Sequence, residues 1–170
     1  MAEKGAPLKE NQIPQNPAFG FQLLLDLYNC RPGVCDDLNL CYQFLDKIVD
    51  DLGMAKQAPP NIFRSPADQF PDKAGLSGWA PLIESSVVIH TLTLTNFISV
   101  DIYCCKAFDL EFAKDFCRRF FEPQRMDEQY IERGKDYYKT ETNYHSLTVN
   151  QAGAPNPQIT LTGKDSVRPG

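Results

Sequence analysis

The segment WAPLIESSVVIHTLTLT, residues 79–95, is followed after one asparagine by FISVDIYCC, residues 97–105. Both segments are rich in β-branched and aromatic residues, which favour strands. A polar Glu-Ser-Ser triplet at residues 84–86 divides the first segment into two apolar runs. This part of the chain therefore predicts three successive strands, and the elements on either side of it decide the fold class.

The elements on the N-terminal side of this block are a strand and a helix. The apolar run GFQLLLDLYNC, residues 20–30, is interrupted by a single aspartate, which indicates a mostly buried strand. Apolar residues then recur at three- and four-residue spacing over residues 38–52. Asp36 or Asp37 can cap the start of this helix, and Gly53 can end it.

On the C-terminal side, a second helix is predicted to begin at Asp109 and to end before Pro123, with phenylalanines at four-residue spacing between them. Residues 124–132 are predicted to form a further strand. Residues 58–78 contain four prolines and scattered polar side chains, so we predict a functional loop there. The resulting order, β-α-β-β-β-α-β, favours an α+β fold with both helices on one face of the sheet.

The composition limits the function classes. The chain has 170 residues, a net charge of −5 and 42% hydrophobic residues, which are typical of one soluble domain. We expect a flexible arm at residues 1–18, a domain at residues 19–138 and a flexible tail at residues 139–170. The acidic balance argues against nucleic-acid binding. Because no run of about 18 apolar residues and no apolar signal segment is present, we expect no membrane span and a cytoplasmic location.

Six cysteines are the unusual feature of the composition. They form no CxxC pair, and the chain has only two histidines, so we expect no metal site. Since thiols stay reduced in the cytoplasm, we also expect no disulfide framework. The general prediction is that each cysteine is a small apolar side chain in the core.

The Glu-Ser-Ser triplet has two interpretations, and the residues alone leave both open. It is either a plain β-turn, since serine favours turns, or a strained turn that carries a nucleophilic hydroxyl, with a histidine five residues after Ser85. His90 likewise is either a core histidine or part of a site. The sequence contains no phosphate-binding loop, dinucleotide-binding loop or zinc-protease motif.

Four motifs in register resemble the small prokaryotic type of S-adenosylmethionine decarboxylase, a self-processing pyruvoyl enzyme. The chain has ESSVVIHT at residues 84–91, where the family has Glu-Ser followed by a hydrophobic strand and His-Thr. Leu-Ser-Gly at residues 76–78 is similar to the family's Val-Ser-Gly, and DIYCC at residues 101–105 is similar to its Asp-x-Phe-Thr-Cys. A glycine, an acid and Tyr-x-Cys within residues 20–30 complete the resemblance, which covers residues 19–134.

The resemblance implies a two-layer α/β sandwich with a mainly antiparallel sheet, which pairs with a second copy into a four-layer αββα homodimer. It also implies that Ser85 attacks the carbonyl of Glu84, that the chain is cleaved between them, and that Ser85 becomes a pyruvoyl group. This group takes up the electrons of decarboxylation, as pyridoxal phosphate does elsewhere, so neither a metal nor pyridoxal phosphate is expected. Ser77 and His90 resemble helpers in self-processing, and Cys105 resembles the residue that protonates the product.

Three further residues resemble substrate contacts of the family. Phe70 is similar to its adenine-stacking aromatic, Asp26 to its acid near the N-terminus, and Ser86 stands where the family has His. The chain departs from the family's His-Thr-Trp-Pro-Glu at Leu92 and Leu94, which replace Trp and Glu. That glutamate helps to hold the ribose hydroxyls in the family, and a leucine accepts no hydrogen bond.

Three functional hypotheses follow. The first is a decarboxylase of polyamine biosynthesis that acts on S-adenosylmethionine, with ornithine or arginine as the alternative small-molecule substrate on the same scaffold. The second is a non-catalytic regulatory homologue of an active decarboxylase. The third is an α+β binding module in which the motif match is fortuitous.

Overall fold

A computed structural model describes residues 18–135 of the chain. In chain order its helices and strands are β1 (Gly20–Tyr28), α1 (Leu38–Asp51), β2 (Asn61–Arg64), β3 (Leu76–Pro81), β4 (Ser85–Leu92), β5 (Phe97–Cys104), α2 (Leu110–Phe121) and β6 (Arg125–Arg133). The predicted N-terminal arm lies outside the described residues except for Ala18, which is buried. The predicted C-terminal tail lies wholly outside them.

The six strands form one antiparallel sheet in the order β2-β3-β4-β5-β1-β6. Strands β2 to β5 are neighbours in the same order in which they follow each other along the chain. Strand β1 lies instead between β5 and β6, so the first and the last strands of the described chain are neighbours in the sheet. The predicted mainly antiparallel sheet is confirmed.

The prediction of a loop at residues 58–78 was wrong in part, because this segment contains regular structure. Strand β2 and the first residues of β3 lie within residues 58–78, and the element order therefore has one more strand than we predicted. Strand β2 has four residues, is mostly exposed and follows two prolines. Such a strand offers no alternation of apolar and polar residues to a sequence pattern. Its pairing with β3 is what makes it a strand.

The two helices begin where the sequence predicts. Asp37 precedes α1, and its carboxylate accepts a hydrogen bond from the Leu40 N–H at 2.9 Å. Asp109 precedes α2 and accepts one from the Phe112 N–H, also at 2.9 Å. Each cap satisfies an N–H group that has no partner inside its own helix.

The sheet has a helix-covered face and an open face. Alternate residues of the central strands are almost fully buried beneath the helices, among them Leu23, Leu25, Leu27, Val87, Ile89, Ile98, Val100 and Ile102. The helices also pack on each other, because the Phe44 ring of α1 contacts the rings of Phe116 and Phe121 in α2. The residues between the buried ones form the open face, which carries most of the polar side chains of β3, β4 and β5.

The general prediction that each cysteine packs in the core holds for five of the six. Five of them are buried free thiols: Cys30, Cys35, Cys41, Cys104 and Cys117. Cys105 is half-buried. Within residues 18–135, no group of three or more His, Cys, Asp or Glu side chains is arranged to hold a metal ion. Neither α-helix of this part is long and apolar enough to cross a membrane.

Candidate active site

The Glu84–Ser85 peptide bond lies where a short connection enters a strand. Residues 82–84 link β3 to β4, and Ser85 is the first residue of β4, opposite Cys104 of β5. The Leu82 N–H donates a hydrogen bond to the Ser85 carbonyl oxygen at 2.9 Å, which closes this connection. The triplet is therefore part of a tight link between two paired strands.

The carbonyl oxygen of Glu84 accepts a hydrogen bond from the Cys105 N–H at 3.0 Å. The resemblance implies that the Ser85 hydroxyl attacks this carbonyl. A backbone N–H aimed at such an oxygen stabilises the negative charge that develops on it during addition. Cys105 thus contributes a backbone donor in addition to its thiol. The sequence could not indicate this donor, because only the pairing of β4 with β5 brings it to Glu84.

The Glu84 side chain is held from two sides. Its carboxylate accepts hydrogen bonds from the Lys106 ammonium at 2.9 Å and from the Ala55 N–H at 3.2 Å. The Glu84 side chain is only 10% exposed. Hydrogen bonding to Lys106 holds the pKa of the Glu84 carboxyl below its usual value, and the same contact raises the pKa of Lys106. We call Glu84, Lys106 and Ala55 the Glu84 clamp.

Neither partner of the Glu84 carboxylate was predicted from the sequence. Lys106 directly follows the DIYCC motif at residues 101–105, so a motif longer by one residue would have included it. Ala55 acts through its backbone, and no side-chain pattern can indicate such a role.

Ser77 of β3 and His90 of β4 are direct partners across the two strands. A hydrogen bond of 3.0 Å joins Ser77 Oγ and His90 Nδ1 on the open face. His90 is exposed, so its interpretation as a core histidine is wrong. The structure thus brings together the two residues that the resemblance indicates as helpers in self-processing.

The Ser77–His90 pair lies away from the Glu84–Ser85 bond of the same chain. His90 is five positions after Ser85 along β4, and the register of β4 with β5 is uninterrupted. At about 3.3 Å per residue, their Cα atoms are roughly 16 Å apart. We call the part of β4 around Glu84, Ser85 and Cys105 the scissile end, and the part around Ser77 and His90 the histidine end.

Asp26 and Ser86 both lie on the open face, but near different ends of β4. Ser86 is next to the scissile bond and opposite Tyr103 of β5. Asp26 of β1 is opposite Ser99, which is in turn the β5 partner of His90.

Asp101 of β5 faces the same surface as Asp26 and His90. Burial raises the pKa of the Asp101 carboxyl, His90 opposes this increase, and the nearby Asp26 adds to it. Asp101 had no predicted role beyond its place in a motif. Asp127 of β6 lies directly opposite Asp26, so the open face holds three carboxylates near the histidine end.

The remaining substrate candidate, Phe70, is exposed, and the two leucines that depart from the family pattern differ in exposure. Phe70, in the segment between β2 and β3, is 54% exposed. Leu94, in the connection between β4 and β5, is 72% exposed. Leu92 is half-buried at the end of β4, opposite Phe97. The leucine at position 94 thus leaves no acceptor where the family has a glutamate.

Comparison with known proteins identifies relatives of this chain. An S-adenosylmethionine decarboxylase proenzyme from Thermodesulfovibrio yellowstonii is 32% identical to this chain over 88 residues. The alignment covers 52% of this chain and 60% of that relative, which is less than two thirds of the relative's length. The proenzyme of the same name from Persephonella marina is 28% identical over 117 residues, or 68% of this chain and 83% of that relative.

The fold has a solved counterpart. The crystal structure of the adenosylmethionine decarboxylase from Aquifex aeolicus VF5 matches with a TM-score of 0.59 and 25% identity, covering 69% of this chain and 92% of that one. The sequence profile of the S-adenosylmethionine decarboxylase family matches residues 21–134, which is more than half of the chain. A fortuitous motif match is therefore excluded, and the chain belongs to the S-adenosylmethionine decarboxylase family.

Proposed function

We propose that this chain is the proenzyme of a pyruvoyl-dependent decarboxylase, which cleaves itself between Glu84 and Ser85 and then decarboxylates S-adenosylmethionine. The observation that carries the proposal is the hydrogen bond from the Cys105 N–H to the Glu84 carbonyl oxygen, in a chain of this family. That bond stabilises charge on the atom where attack by Ser85 would place it.

Self-cleavage in this proposal begins at the serine hydroxyl. The Ser85 Oγ adds to the Glu84 carbonyl carbon, the peptide C–N bond breaks, and the amide becomes an ester with a free amine at residue 85. Loss of the Ser85 α-proton then expels the Glu84 carboxylate, and hydrolysis of the resulting unsaturated residue releases ammonia. The products are an 84-residue chain and an 86-residue chain that begins with a pyruvoyl group.

The pyruvoyl group would supply an electron sink for the electron pair of the C–C bond that breaks when CO₂ leaves. The other roles fall to residues of the chain. The half-buried Cys105 thiol is at the scissile end, and we assign it as the proton donor to the product carbon. The contacts of the Glu84 clamp keep the new carboxyl terminus beside the group. Ser86 is next to it on the open face and is assigned to the substrate site.

The substrate assignment rests on the names of the relatives and on three residues of this chain. Phe70 offers an exposed ring on which an adenine can stack. Asp26 and Asp101 provide carboxylates on the open face. The face also carries Arg125 and Arg133 of β6, so only its acidic part around Asp26 and Asp101 favours a cationic substrate, such as a sulfonium.

A basic amino acid, ornithine or arginine, is the second candidate substrate. It is favoured by the exposed Leu94, which offers no acceptor to ribose hydroxyls and so weakens discrimination in favour of a nucleoside. Release of CO₂ from S-adenosylmethionine, ornithine and arginine, measured in parallel, decides between them. Activity on S-adenosylmethionine alone rejects the alternative. Complete cleavage without activity on any of the three would favour the regulatory homologue.

We infer that the complete site needs a second copy of the chain. Within one chain, roughly 16 Å separates Ser85 from His90 along β4, which is too far for direct proton exchange. Within residues 18–135 the open face has no helix over it, and it carries the half-exposed ring of Trp79 beside its polar residues. Packing two open faces in opposite directions places the histidine end of one copy over the scissile end of the other. The result is the four-layer αββα homodimer.

The proposed location is the cytoplasm. All six cysteines are free thiols, which fits a reducing compartment. A reduced Cys105 is also what the proposed proton donation requires.

The self-cleavage proposal is tested by the intact mass of the purified protein. We expect two chains that separate between residues 84 and 85, with a pyruvoyl group blocking the N-terminus of the second. Ser85→Ala should remain a single chain, whereas the neighbouring Ser86→Ala should still be cut. A single uncut wild-type chain would rule out the enzyme.

The shared site is tested by co-expression of two inactive variants. Ser85→Ala keeps His90 but has no nucleophile, and His90→Ala keeps Ser85 but has no helper. If the site forms between two copies, mixed dimers restore one complete site, and the His90→Ala chain becomes cleaved. If each chain cleaves itself alone, co-expression changes nothing.

A further inference from the structure

Thr91 follows His90 and lies on the other, helix-covered face of β4, where it is 2% exposed. Its Oγ1 donates a hydrogen bond to the Cys35 carbonyl oxygen at 2.6 Å. Thr91 Oγ1 also accepts a hydrogen bond from the Leu76 N–H at 2.8 Å. One buried hydroxyl therefore links β4 to the first residue of β3 and to the 3-10 turn at Val34–Asp36.

The backbone positions that Thr91 links are neighbours of the Ser77–His90 pair. Leu76 precedes Ser77 in β3, and Thr91 follows His90 in β4, while Ser77 and His90 are direct partners. The Thr91 hydroxyl therefore adds a side-chain contact, at the start of β3, to the backbone pairing of β3 with β4. This contact lies next to the Ser77–His90 hydrogen bond.

Gly75 shows how closely the chain entering β3 approaches Thr91. A Cβ atom at Gly75 would overlap the Thr91 carbonyl oxygen and would lie 2.9 Å from Thr91 Oγ1. No side chain fits in that space, so the backbone at residue 75 runs directly against Thr91. This contact restricts any sliding of β3 relative to β4 at the histidine end.

We propose that Thr91 is the positioning residue of the Ser77–His90 pair. It touches no reacting atom, but from the buried side of the sheet it holds these two side chains within hydrogen-bond distance. The role rests on the proposed function, because it acts through self-cleavage. Misplacing a catalytic group by about 1 Å costs up to about 100-fold in rate. Because Thr91 acts through the Ser77–His90 bond, and loss of one hydrogen bond costs about tenfold, we expect Thr91→Val to slow self-cleavage by up to about tenfold.

The first experiment compares three hydroxyl variants. Thr91→Val keeps the shape but removes the hydroxyl, and Thr91→Ser keeps the hydroxyl. Thr93→Val is the matched control, because Thr93 Oγ1 donates to the Ala74 carbonyl oxygen at 3.0 Å and the Thr93 N–H retains a bond to that oxygen. Intact mass is followed from the time of cell-free synthesis. We expect slow cleavage for Thr91→Val alone, and Thr91→Val cleaving at the wild-type rate overturns the proposal.

A double-mutant cycle separates positioning from a general loss of stability. If Thr91 acts through the pair, adding Thr91→Val to Ser77→Ala slows cleavage by no more than about twofold beyond Ser77→Ala alone. If the two effects multiply, Thr91 acts independently of Ser77, and the proposal is rejected.

A third measurement does not depend on cleavage. The chain has two histidines, His90 and His145, so NMR signals of the His90 ring are assigned by comparison with His145→Gln. In the uncleavable Ser85→Ala background, Thr91→Val should shift the His90 ring signals and Thr93→Val should not. Unchanged signals overturn the positioning contact. A shift together with an uncleaved wild type overturns the proposed function instead, while the contact itself stands.

Discussion

The scissile end and the histidine end of β4 are held by different kinds of contact. At the scissile end, an ammonium and two backbone N–H groups hold the side chain and the carbonyl of Glu84. At the histidine end, the Ser77–His90 bond is backed by the buried, neutral hydroxyl of Thr91. Exposed ion pairs are screened by salt, whereas buried neutral hydrogen bonds are not. The two ends should therefore respond differently to salt and pH.

This difference suits the proposed cleavage at one end of β4. Cleavage between Glu84 and Ser85 would give Glu84 a new carboxyl terminus, and contacts to its side chain from Lys106 and Ala55 would keep that terminus near its original position without a peptide bond. The histidine end lies in strands that the proposed cleavage would leave intact, so it needs no such contacts. Substitutions at the two ends should therefore have different effects on the rates of self-cleavage and decarboxylation and on the free energy of unfolding.

The largest expected effect is at the scissile end. Cys105→Ala removes the proposed proton donor, so decarboxylation should fall about 10²- to 10⁴-fold. Self-cleavage should persist, because alanine retains the N–H that binds the Glu84 carbonyl oxygen. Steady-state CO₂ release and intact mass measure the two separately. Cys104→Ala is the control, since its buried thiol packs in the core and its loss should lower stability rather than activity. Full decarboxylation by Cys105→Ala would remove Cys105 from the mechanism.

At the histidine end, Ser77→Ala should slow self-cleavage about tenfold, the equivalent of one lost hydrogen bond. Ser99→Ala is the matched control, because Ser99 of β5 is the other cross-strand neighbour of His90. Among the described residues, the hydrogen bond to the His90 ring comes from Ser77 and not from Ser99. The rate of chain separation after cell-free synthesis measures both. Equal slowing in the two variants would show that the Ser77–His90 bond has no special role.

The Glu84 clamp predicts a smaller effect that depends on pH and salt. The pKa of Glu84 lies below its ordinary value of 4.5 in the folded chain, so its contribution to stability is complete above pH 4.5 and is lost as pH falls through the folded-state pKa. In the Ser85→Ala background, Glu84→Gln should lower the free energy of unfolding at pH 7 by less than about 1 kcal/mol.

Urea unfolding at several pH values and at two salt concentrations measures this contribution. The difference in unfolding free energy between the Ser85→Ala chain and the same chain with Glu84→Gln should shrink in acid and at high salt. Lys106→Met should change stability in the same direction as Glu84→Gln. A difference that is independent of both pH and salt would mean that the clamp is not ionic.

The smallest effect is expected at Asp101, near the histidine end. Burial raises its pKa above the ordinary value of 3.8, so the folded state is penalised as pH rises through the folded-state pKa, and the penalty is complete above it. Asp101→Asn should therefore stabilise the chain at pH 7 and have no effect below pH 3.8. Because solvent screens a half-buried carboxylate, the gain should be a few tenths of a kcal/mol. Equal stability changes at both pH values would contradict the raised pKa.

Much of the fold was predictable because its elements have strong local patterns. The helix caps at Asp37 and Asp109 and the apolar runs of β1, β4 and β5 follow from residue spacing over a few positions. Strand β2 was not predictable, since four mostly exposed residues after two prolines resemble a loop until β3 pairs with them. In the site, the motifs indicated Ser85, His90 and Cys105 but neither partner of the Glu84 carboxylate.

The sequence by itself determined the strands and helices with clear periodicity and the residue types available for chemistry, because both depend on neighbours within one or two turns. Only the tertiary structure decided which groups meet. Ser77 and His90 are 13 positions apart, and Glu84 and Lys106 are 22 apart. Their proximity depends on strand register, which is set when whole strands pair over the buried core. The separation of His90 from Ser85, by contrast, follows from five positions along one extended strand, and the motif at residues 84–91 already contains both residues.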